Sequence, residues 1–293
     1  MRPGDNNLPS AETIRAVVSL LSDPNQGIVE VCQNKLVEWG EASAAGLREA
    51  VMDDNPRLRL RSRRILRSIS LKTWLDSLTD YASFSGGVPS DPFSDHKMLE
   101  DGVFLLSSLG RPADCETTRL VLDQLGNELR ARIRGQSAAS SARVLRQFLA
   151  VENGYGGGCS SYYDEQNVHL DMVSSGHRGI PITLSILYLL VGRRAGMRLS
   201  GVEMPDHFLI RVHGTRPVLV DPFHGGRTIT RADCARYLRT MGYSCSTSPF
   251  LEDMDDRQIL ISLLGNLQRV FGYREDRETI EIIEQARASL IGP

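Results

Sequence analysis

The fold is decided by residues 176–221, which read GHRGIPITLSILYLLVGRRAGMRLSGVEMPDHFLIRVHGTRPVLVD. Between Pro181 and Ala195 apolar residues occur on nearly every side of a helix, which indicates a helix buried on all faces rather than one lying at the surface. Proline suits the first helical turn, where its missing N–H is not needed, and Gly196 suits the residue just past the end. The sequence therefore predicts a central helix that is packed on several sides.

Three short strands are predicted after this helix, at residues 199–204, 207–212 and 218–221. In the second of them side chains alternate between two faces, which is typical of a strand. A hairpin centred on Gly214 would place His207 directly opposite Asp221, on the same face and with Cβ atoms about 4.5–5.5 Å apart. At that separation a carboxylate can hold and orient an imidazole, as in a catalytic triad. A slip of one residue in the register would move Asp221 to the other face.

Several short motifs in and around this stretch occur in a characteristic order. They are Tyr162-Tyr163-Asp164 with Asn167, Arg178-Gly179-Ile180-Pro181-Ile182-Thr183-Leu184-Ser185, His207-Phe208-Leu209, and Asp221-Pro222-Phe223 with Gly225-Gly226. Together they closely resemble the SirB-type proteins of the transglutaminase-like superfamily, in its core-2 branch, over about residues 97–243. The resemblance implies a mainly helical α+β fold. A papain/transglutaminase-like core, with a central buried helix packed on a small antiparallel sheet, would be flanked by helical-repeat-like segments.

The resemblance also implies which residues stand at the catalytic positions. In active transglutaminase-like enzymes a nucleophilic cysteine opens the central helix, and the matching residue here is Pro181, a loss shared with SirB-type relatives. The histidine and the aspartate of the triad match His207 and Asp221. At Asp206 the family would have glycine, and a carboxylate beside His207 would favour the imidazolium if the two groups lie close together. The chain is therefore expected to keep the histidine and the aspartate of the triad but to lack its nucleophile.

Helical patterns flank the predicted core on both sides. Four helices are predicted before residue 70, and the restarts at Pro24 and Pro56 resemble the spacing of a HEAT repeat. A stretch rich in Gly, Pro and Ser, residues 84–92, marks a domain boundary. Two further helices, at about 256–271 and 278–290, resemble a tetratricopeptide-like hairpin. The predicted domains are a HEAT-like segment (1–85), the transglutaminase-like core (86–250) and the helical hairpin (251–293).

Composition limits the partners and the compartment. The 293 residues carry 34 Lys and Arg against 36 Asp and Glu, a net charge of −2, so no global field draws the chain to nucleic acid or to a membrane. Five cysteines without paired spacing, and an N-terminal stretch without an apolar leader, predict reduced thiols and a cytoplasmic location. A protein partner is expected, and no cofactor.

Although the net charge of the chain is close to zero, basic residues are concentrated in one short run. It includes Arg57, Arg61 and Arg64, and it flanks the apolar face of the fourth predicted helix. The run is either a solvated helix face or a surface for an anionic partner. Nucleic acid is the less favoured partner because no aromatic residues are interleaved with the arginines.

Three functions remain open. The favoured one is a non-catalytic scaffold or regulator, in which His207 and Asp221 serve structure or ligand binding. The alternative is a thiol hydrolase or acyl-transferase with a displaced nucleophile, Cys159 on the glycine-rich loop. Thr183 and Ser185 stand behind Cys159 as further candidates.

The third possibility is a metal site, although the favoured prediction has no metal. It would use His207, Asp221 and His224, with or without Asp206, because imidazole and carboxylate groups are proper ligands for zinc or a similar ion. The sequence contains neither of the helical His pairs, HxxxH or HExxH, that would strengthen this interpretation.

A second group of polar residues is predicted to shape the site or to contact a ligand: Tyr163, Asp164, Asn167, Arg178 and Asp206. Asp and Asn side chains bond neighbouring backbone groups, so the first three can also form a structural loop clamp. Arg178 precedes the central helix, where the helix dipole favours a bound carboxylate or phosphate. Its alternative role is an ion pair within the fold.

Overall fold

The structure, a computed structural model, describes residues 9–84, 91, 93–158, 164–243 and 248–291. The chain forms two compact units, Met1–Ser77 and Leu78–Pro293. The α+β class is confirmed, because the described chain is mostly helical and carries a small antiparallel sheet of four strands. None of the helices in this part of the chain combines the length and the apolar character needed to cross a membrane. The division at 85/86 and 250/251 stays a prediction.

The first unit is built from helices. Their bounds are Ala11–Ser19 (α1), Gln26–Trp39 (α2), Glu41–Ala50 (α3) and Pro56–Phe84 (α4), and the boundary between the units falls within α4. Ser10 and Asn25 cap α1 and α2 by accepting hydrogen bonds from backbone N–H groups of the first turns. The pattern predicts an end of the fourth helix near Ile69. The helix continues because no proline or glycine interrupts the sequence before Gly86.

One arginine of the basic run on α4, Arg61, forms hydrogen bonds within the first unit. Arg61 is half-buried, and its guanidinium donates to the carbonyl of Leu21 and, at 3.3 Å, to that of Asp23. Arg57 and Arg64 are exposed. Two of these three arginines therefore face solvent.

The second unit surrounds one buried helix. Its helices before the sheet are Lys97–Ser107 (α5), Cys115–Arg132 (α6), Ala138–Arg146 (α7), Leu170–Gly176 (α8) and Pro181–Arg194 (α9), and a π-helical turn, Gln147–Glu152, continues α7. Every residue of α9 is buried, and the helix begins at the proline, as the sequence predicts. The sequence pattern does not predict α8, because seven residues are too few to show a helical period.

A four-stranded antiparallel meander follows α9. Its strands are Leu199–Met204 (β1), His207–Val212 (β2), Val218–Asp221 (β3) and Arg227–Ile229 (β4), paired in that order. The predicted bounds of the first three strands are confirmed. Pro205 and Asp206 form the turn between β1 and β2, and Asp206 has a φ of 51°. Glycine adopts this left-handed conformation most easily, which is a physical reason for the glycine expected from the resemblance.

The register between β2 and β3 corrects the sequence prediction. The five-residue connection 213–217 centres the hairpin one residue beyond Gly214. In the continuation of this register Asp221 lies opposite Leu209, and not opposite His207. Since Leu209 and His207 are two residues apart on one strand, they share a face. Asp221 is therefore a diagonal neighbour of His207 on the expected face.

The C-terminal helices complete the second unit. They are Arg231–Thr240 (α10), Asp256–Tyr273 (α11) and Arg277–Ile291 (α12). A capping box starts α11, in which Asp255 and Gln258 each accept the other's backbone N–H. α11 and α12 pack together as a hairpin, and α11 also packs on α5 and α9.

Candidate functional site

Three elements bring the expected triad positions together. α9 begins with Pro181, β2 begins with His207 and β3 ends with Asp221. α9 packs against β2, so Pro181 and His207 border the same open groove. His207 Nε2 lies 3.1 Å from Asp221 Oδ1. The histidine and the aspartate are thus neighbours, whereas Pro181 has no group that could attack a substrate.

Asp221 is the polar centre of the site. Its side chain is 2% exposed. The carboxylate accepts the backbone N–H of His224 at 3.1 Å and lies 2.7 Å from His224 Nδ1 and 3.4 Å from Arg227 Nη2. Burial by itself would raise the pKa of the Asp221 carboxyl, but the neighbouring His207 and His224 outweigh burial and hold this pKa below its usual range. Asp221 is therefore ionised at neutral pH.

The His207 ring is enclosed by other rings. The ring centroids of His224, Tyr237 and Phe223 lie 5.4, 5.9 and 6.2 Å from that of His207. Its Nε2 is buried and is not aligned for a hydrogen bond with any described residue, although it lies 3.1 Å from Asp221. His207 and Asp221 are therefore in close contact without a well-directed hydrogen bond between them.

The turn after β3 adds His224 to the site. Gly226 N donates to the carbonyl of Asp221 at 2.8 Å, and Gly225 and Gly226 have φ values of 71° and 68°. These left-handed conformations reverse the chain without strain and fold His224 back onto Asp221. The sequence predicts a role for His224 only as a metal ligand. Its signal is the pattern Asp-x-x-His-Gly-Gly, an aspartate before a tight glycine turn.

The described part of the glycine-rich loop packs directly on this turn. Gly157 N donates to the carbonyl of Phe223 at 2.9 Å. A Cβ at residue 157 would lie 2.5 Å from the Phe223 ring and 2.7 Å from its carbonyl oxygen, so a larger residue does not fit. Arg178 is exposed and reaches the carbonyls of Gly154 and Gly157 at 3.5 and 3.4 Å. Cys159, the candidate nucleophile, lies outside the described residues.

The loop that precedes α8 is tied to the start of α9. Asp164 Oδ1 accepts the backbone N–H of Gln166 at 3.1 Å and caps a short 3-10 turn. The carbonyl of Asn167 accepts the N–H of Ile180 at 3.0 Å, directly before the central helix. These contacts fit a loop clamp. Tyr163 lies outside the described residues.

Asp206 lies on the rim of the groove. Its side chain is 66% exposed, and Arg269 Nη1 of α11 lies 3.9 Å from its carboxylate. The structure therefore gives Asp206 a partner on the far wall of the groove.

The prediction that Thr183 or Ser185 could serve as the nucleophile is wrong. Both are fully buried, and their hydroxyls donate to the carbonyls of Val168 at 3.0 Å and Phe208 at 3.2 Å. Hydroxyls committed to carbonyls inside the core cannot meet a substrate. They fix α9 to its neighbours instead.

An open groove of about 890 Å³ leads from Pro181 and His207 to the C-terminal helices. The residues of α11 that line it are spaced three or four apart and so lie on one face of that helix: Gln258, Ile261, Ser262, Gly265 and Arg269 among others. Pro181 and His207 line this groove, and Asp221 lies behind His207, buried beside it.

Comparisons with known proteins place the chain in a class. A family model described as the transglutaminase-like superfamily matches residues 116–265, just over half of the chain. The chain therefore belongs to the transglutaminase-like superfamily. No solved structure gives a significant match.

Relatives occur in bacteria and in mammals. A UPF0162 protein of Xylella fastidiosa is 33% identical over 134 residues, which are 44% of this chain and 48% of the relative. A UPF0162 protein of Vibrio cholerae is 29% identical over 196 residues, 66% of this chain and 72% of the relative. Human F-box only protein 21 is 27% identical over 228 residues, 71% of this chain and 35% of the relative. The match thus spans about half the length of the Xylella protein.

Proposed function

We propose that this chain is a non-catalytic, SirB-type member of the core-2 branch of its superfamily, and that it acts as a protein-interaction scaffold or regulator. The observation that carries the proposal is Pro181, at the first position of α9 and beside His207 on the groove. Proline offers neither a nucleophilic atom nor a backbone N–H for an oxyanion. A residue without a reactive group thus stands where His207 and Asp221 would activate a nucleophile.

The groove suits a segment of a protein partner. Its walls combine apolar side chains such as Phe250 and Met254 with charges of both signs, such as Glu252 and Arg269. Small-molecule pockets are mostly apolar and enclose their ligand. An open groove of mixed polarity, bordered by a helix face and the end of a sheet, fits a bound peptide segment better.

Gly265 leaves open space in the wall of this groove. It lies in the interior of α11, and a Cβ at this position would meet no atom within 4 Å. Glycine inside a helix costs about 1 kcal/mol relative to alanine. Its presence on the groove face supports a site that keeps space for a partner.

Gly265→Trp is expected to abolish partner binding and to leave the fold intact, because the indole would fill the groove without touching the core. The measurement is photo-crosslinking in cells with benzoylphenylalanine at Ile261, one turn away on the same face. A crosslinked band of higher mass is expected with the otherwise unchanged chain and is expected to disappear with Gly265→Trp.

Gly272→Trp is the matched control. Gly272 lies on the same helix, a Cβ there also meets no atom within 4 Å, and the residue does not line the groove. This variant should keep the crosslinked band. A band that survives Gly265→Trp, or a complete lack of bands at Ile261, would contradict the proposal.

A second candidate function, a thiol hydrolase or acyl-transferase, has one supporting observation. Gly157, two residues before Cys159, is bonded to Phe223 in the turn that carries His224. In this alternative His207, oriented by Asp221, takes the proton of the Cys159 thiol, and the thiolate attacks an acyl carbonyl. The bond to the leaving alcohol or thiol then breaks, His207 returns the proton to that group, and water or another acceptor releases the acyl group from Cys159.

The non-catalytic proposal predicts the same slow background hydrolysis of p-nitrophenyl esters and thioesters with the unchanged chain, with Cys159→Ala and with His207→Ala. Turnover is followed by absorbance, with and without iodoacetamide. A rate that the alkylating agent abolishes, and that is lost in both variants, would establish the thiol enzyme in its place. His207→Ala should also keep the crosslink at Ile261.

The flanking segments and the compartment complete the proposal. Residues 1–85 and 251–293 are proposed as HEAT-like and tetratricopeptide-like binding surfaces on either side of the core 86–250. The exposed Arg57 and Arg64 favour an acidic protein partner for the first segment over nucleic acid. Balanced charge and scattered cysteines support a cytoplasmic location.

A further inference from the structure

His207, Asp221 and His224 form a constellation that scaffolding does not require. Each side chain offers one ligand atom, and the three atoms all lie within 4.8 Å of one another. We infer that these residues bind a divalent first-row transition metal ion, of which zinc fits best. Asp206, the fourth candidate of the sequence, is not in this group. The metal site would exist whether or not the groove binds a partner.

The spacing of the three groups is close to that of a bound ion. Zinc holds its ligands at about 2.0–2.1 Å, which in a tetrahedron separates the ligand atoms by about 3.3 Å. His207 Nε2 lies 3.1 Å from Asp221 Oδ1, and His224 Nδ1 lies 2.7 Å from Asp221 Oδ2, so the two imidazoles contact different oxygens of the carboxylate. An ion bound through one of these oxygens would require the other imidazole to move toward it. The contact of His224 must also open by about half an ångström. The His224 side chain is 49% exposed, so it can make this shift without disturbing the core.

The donor set decides the kind of ion. Two imidazole nitrogens and one carboxylate suit zinc, and the same set also binds iron(II), whereas calcium and magnesium prefer oxygen ligands throughout. Binding needs neutral imidazoles whose lone pairs face the ion. His224 would therefore bind as the tautomer that carries its proton on Nε2 and leaves Nδ1 free for the ion.

The surroundings favour an ion with open coordination positions. Asp221 is buried and the His207 side chain is 11% exposed, while the half-exposed His224 would leave the remaining positions on the solvent side. The buried His207 Nε2, which is not aligned for a hydrogen bond with any described residue, would gain a partner. Arg227 opposes a cation, since its guanidinium lies 3.4 Å from Asp221, but its side chain is 56% exposed and can turn to solvent.

Zinc titration of the chelator-treated full chain tests the inference. Isothermal calorimetry should show one saturable site, and cobalt(II) in place of zinc should give d–d absorption without a thiolate charge-transfer band. His224→Ala should weaken zinc binding by about 100-fold or more, because even the loss of a group that only supports a ligand weakens binding by 10–100-fold. The circular dichroism spectrum of this variant should not change, since His224 lies on an exposed turn.

His96→Ala is the matched control, because His96 is half-buried and lies outside the constellation. It should bind zinc as tightly as the unchanged chain. The inference would be overturned if the unchanged chain bound no stoichiometric zinc, if cobalt showed thiolate ligation, or if His224→Ala and His96→Ala bound zinc equally well.

Discussion

Replacing Arg193 with methionine is expected to lower the free energy of unfolding of the second unit by about 3–5 kcal/mol. The Arg193 side chain is fully buried and ties three parts of the unit together. It lies 2.7 Å from the carboxylate of Asp256 at the start of α11, and it donates to the carbonyls of Asp95 at 2.9 Å and Leu199 at 3.1 Å. Without the guanidinium these oxygens would stay buried without their donor.

At the Asp256 carboxyl two effects oppose each other: burial disfavours its ionised form, and the contact with Arg193 favours it. Burial raises its pKa, and Arg193 opposes that rise only in part. The double variant Arg193→Met/Asp256→Leu should therefore recover part of the loss, because it removes the buried charge that the single variant leaves unpaired.

Chemical denaturation at neutral pH measures the effect, and Arg198→Met provides the control. Arg198 lies 2.7 Å from Asp91, but its side chain is 55% exposed, so the pair is worth about 0–1 kcal/mol. If Arg193→Met and Arg198→Met lowered the free energy of unfolding equally, burial would not be the reason for the large expected effect of Arg193→Met.

Asp171→Asn is expected to lower the free energy of unfolding by about 2–3 kcal/mol at pH 7. Asp171, on α8, is 5% exposed and pairs with Arg111 through two parallel contacts of 3.1 and 2.6 Å. It also accepts the backbone N–H of Asp114 at 3.3 Å. The neutral amide cannot reproduce this bidentate contact with a guanidinium.

The loss of stability caused by Asp171→Asn should become smaller as the pH falls. Burial alone would raise the pKa of Asp171, but the hydrogen bonds and charge of Arg111 outweigh it and lower the pKa below 3.8. A carboxyl with a lowered native pKa stabilises the fold above its unfolded pKa, and this contribution is lost as the pH falls through the native pKa. The difference between the two chains should therefore be full at pH 7 and shrink below about pH 4.

Urea denaturation at a series of pH values from 7 to 3 measures this difference. Asp101→Asn is the control, because Asp101 is 61% exposed and lies 3.5 Å from Arg119. It should change stability little at any pH. A loss from Asp171→Asn that stays constant down to pH 3 would exclude the Arg111 charge as its cause.

The central helix and the first three strands could be predicted from the sequence because their signals are local. Pro181 starts α9, an apolar run fills it and Gly196 follows it, while the strands show alternation between turns. The register between β2 and β3 could not be read in this way. Gly214 suggested a symmetric turn, but the loop contains five residues and its centre lies one residue further on.

The candidate site was only partly predictable. The pattern identified His207 and Asp221, whose contact survived the register error because the shift kept both on one face. The groove could not be predicted, because its far wall is α11, and contacts between elements so distant in sequence leave no periodic signal. The hydroxyls of Thr183 and Ser185 also needed the structure, since burial on all sides of a helix does not tell which group accepts each proton.

The meander order of the sheet has a consequence for how the chain folds. α9 and the four strands follow one another within about 50 residues, and each strand pairs with its neighbour in sequence. Short loops close at a low entropic cost, whereas α11 must return to α5 over about 150 residues. Contacts of short sequence separation favour rapid folding. The helix and sheet that position His207 and Asp221 are therefore expected to assemble early, and the groove beside them to close last.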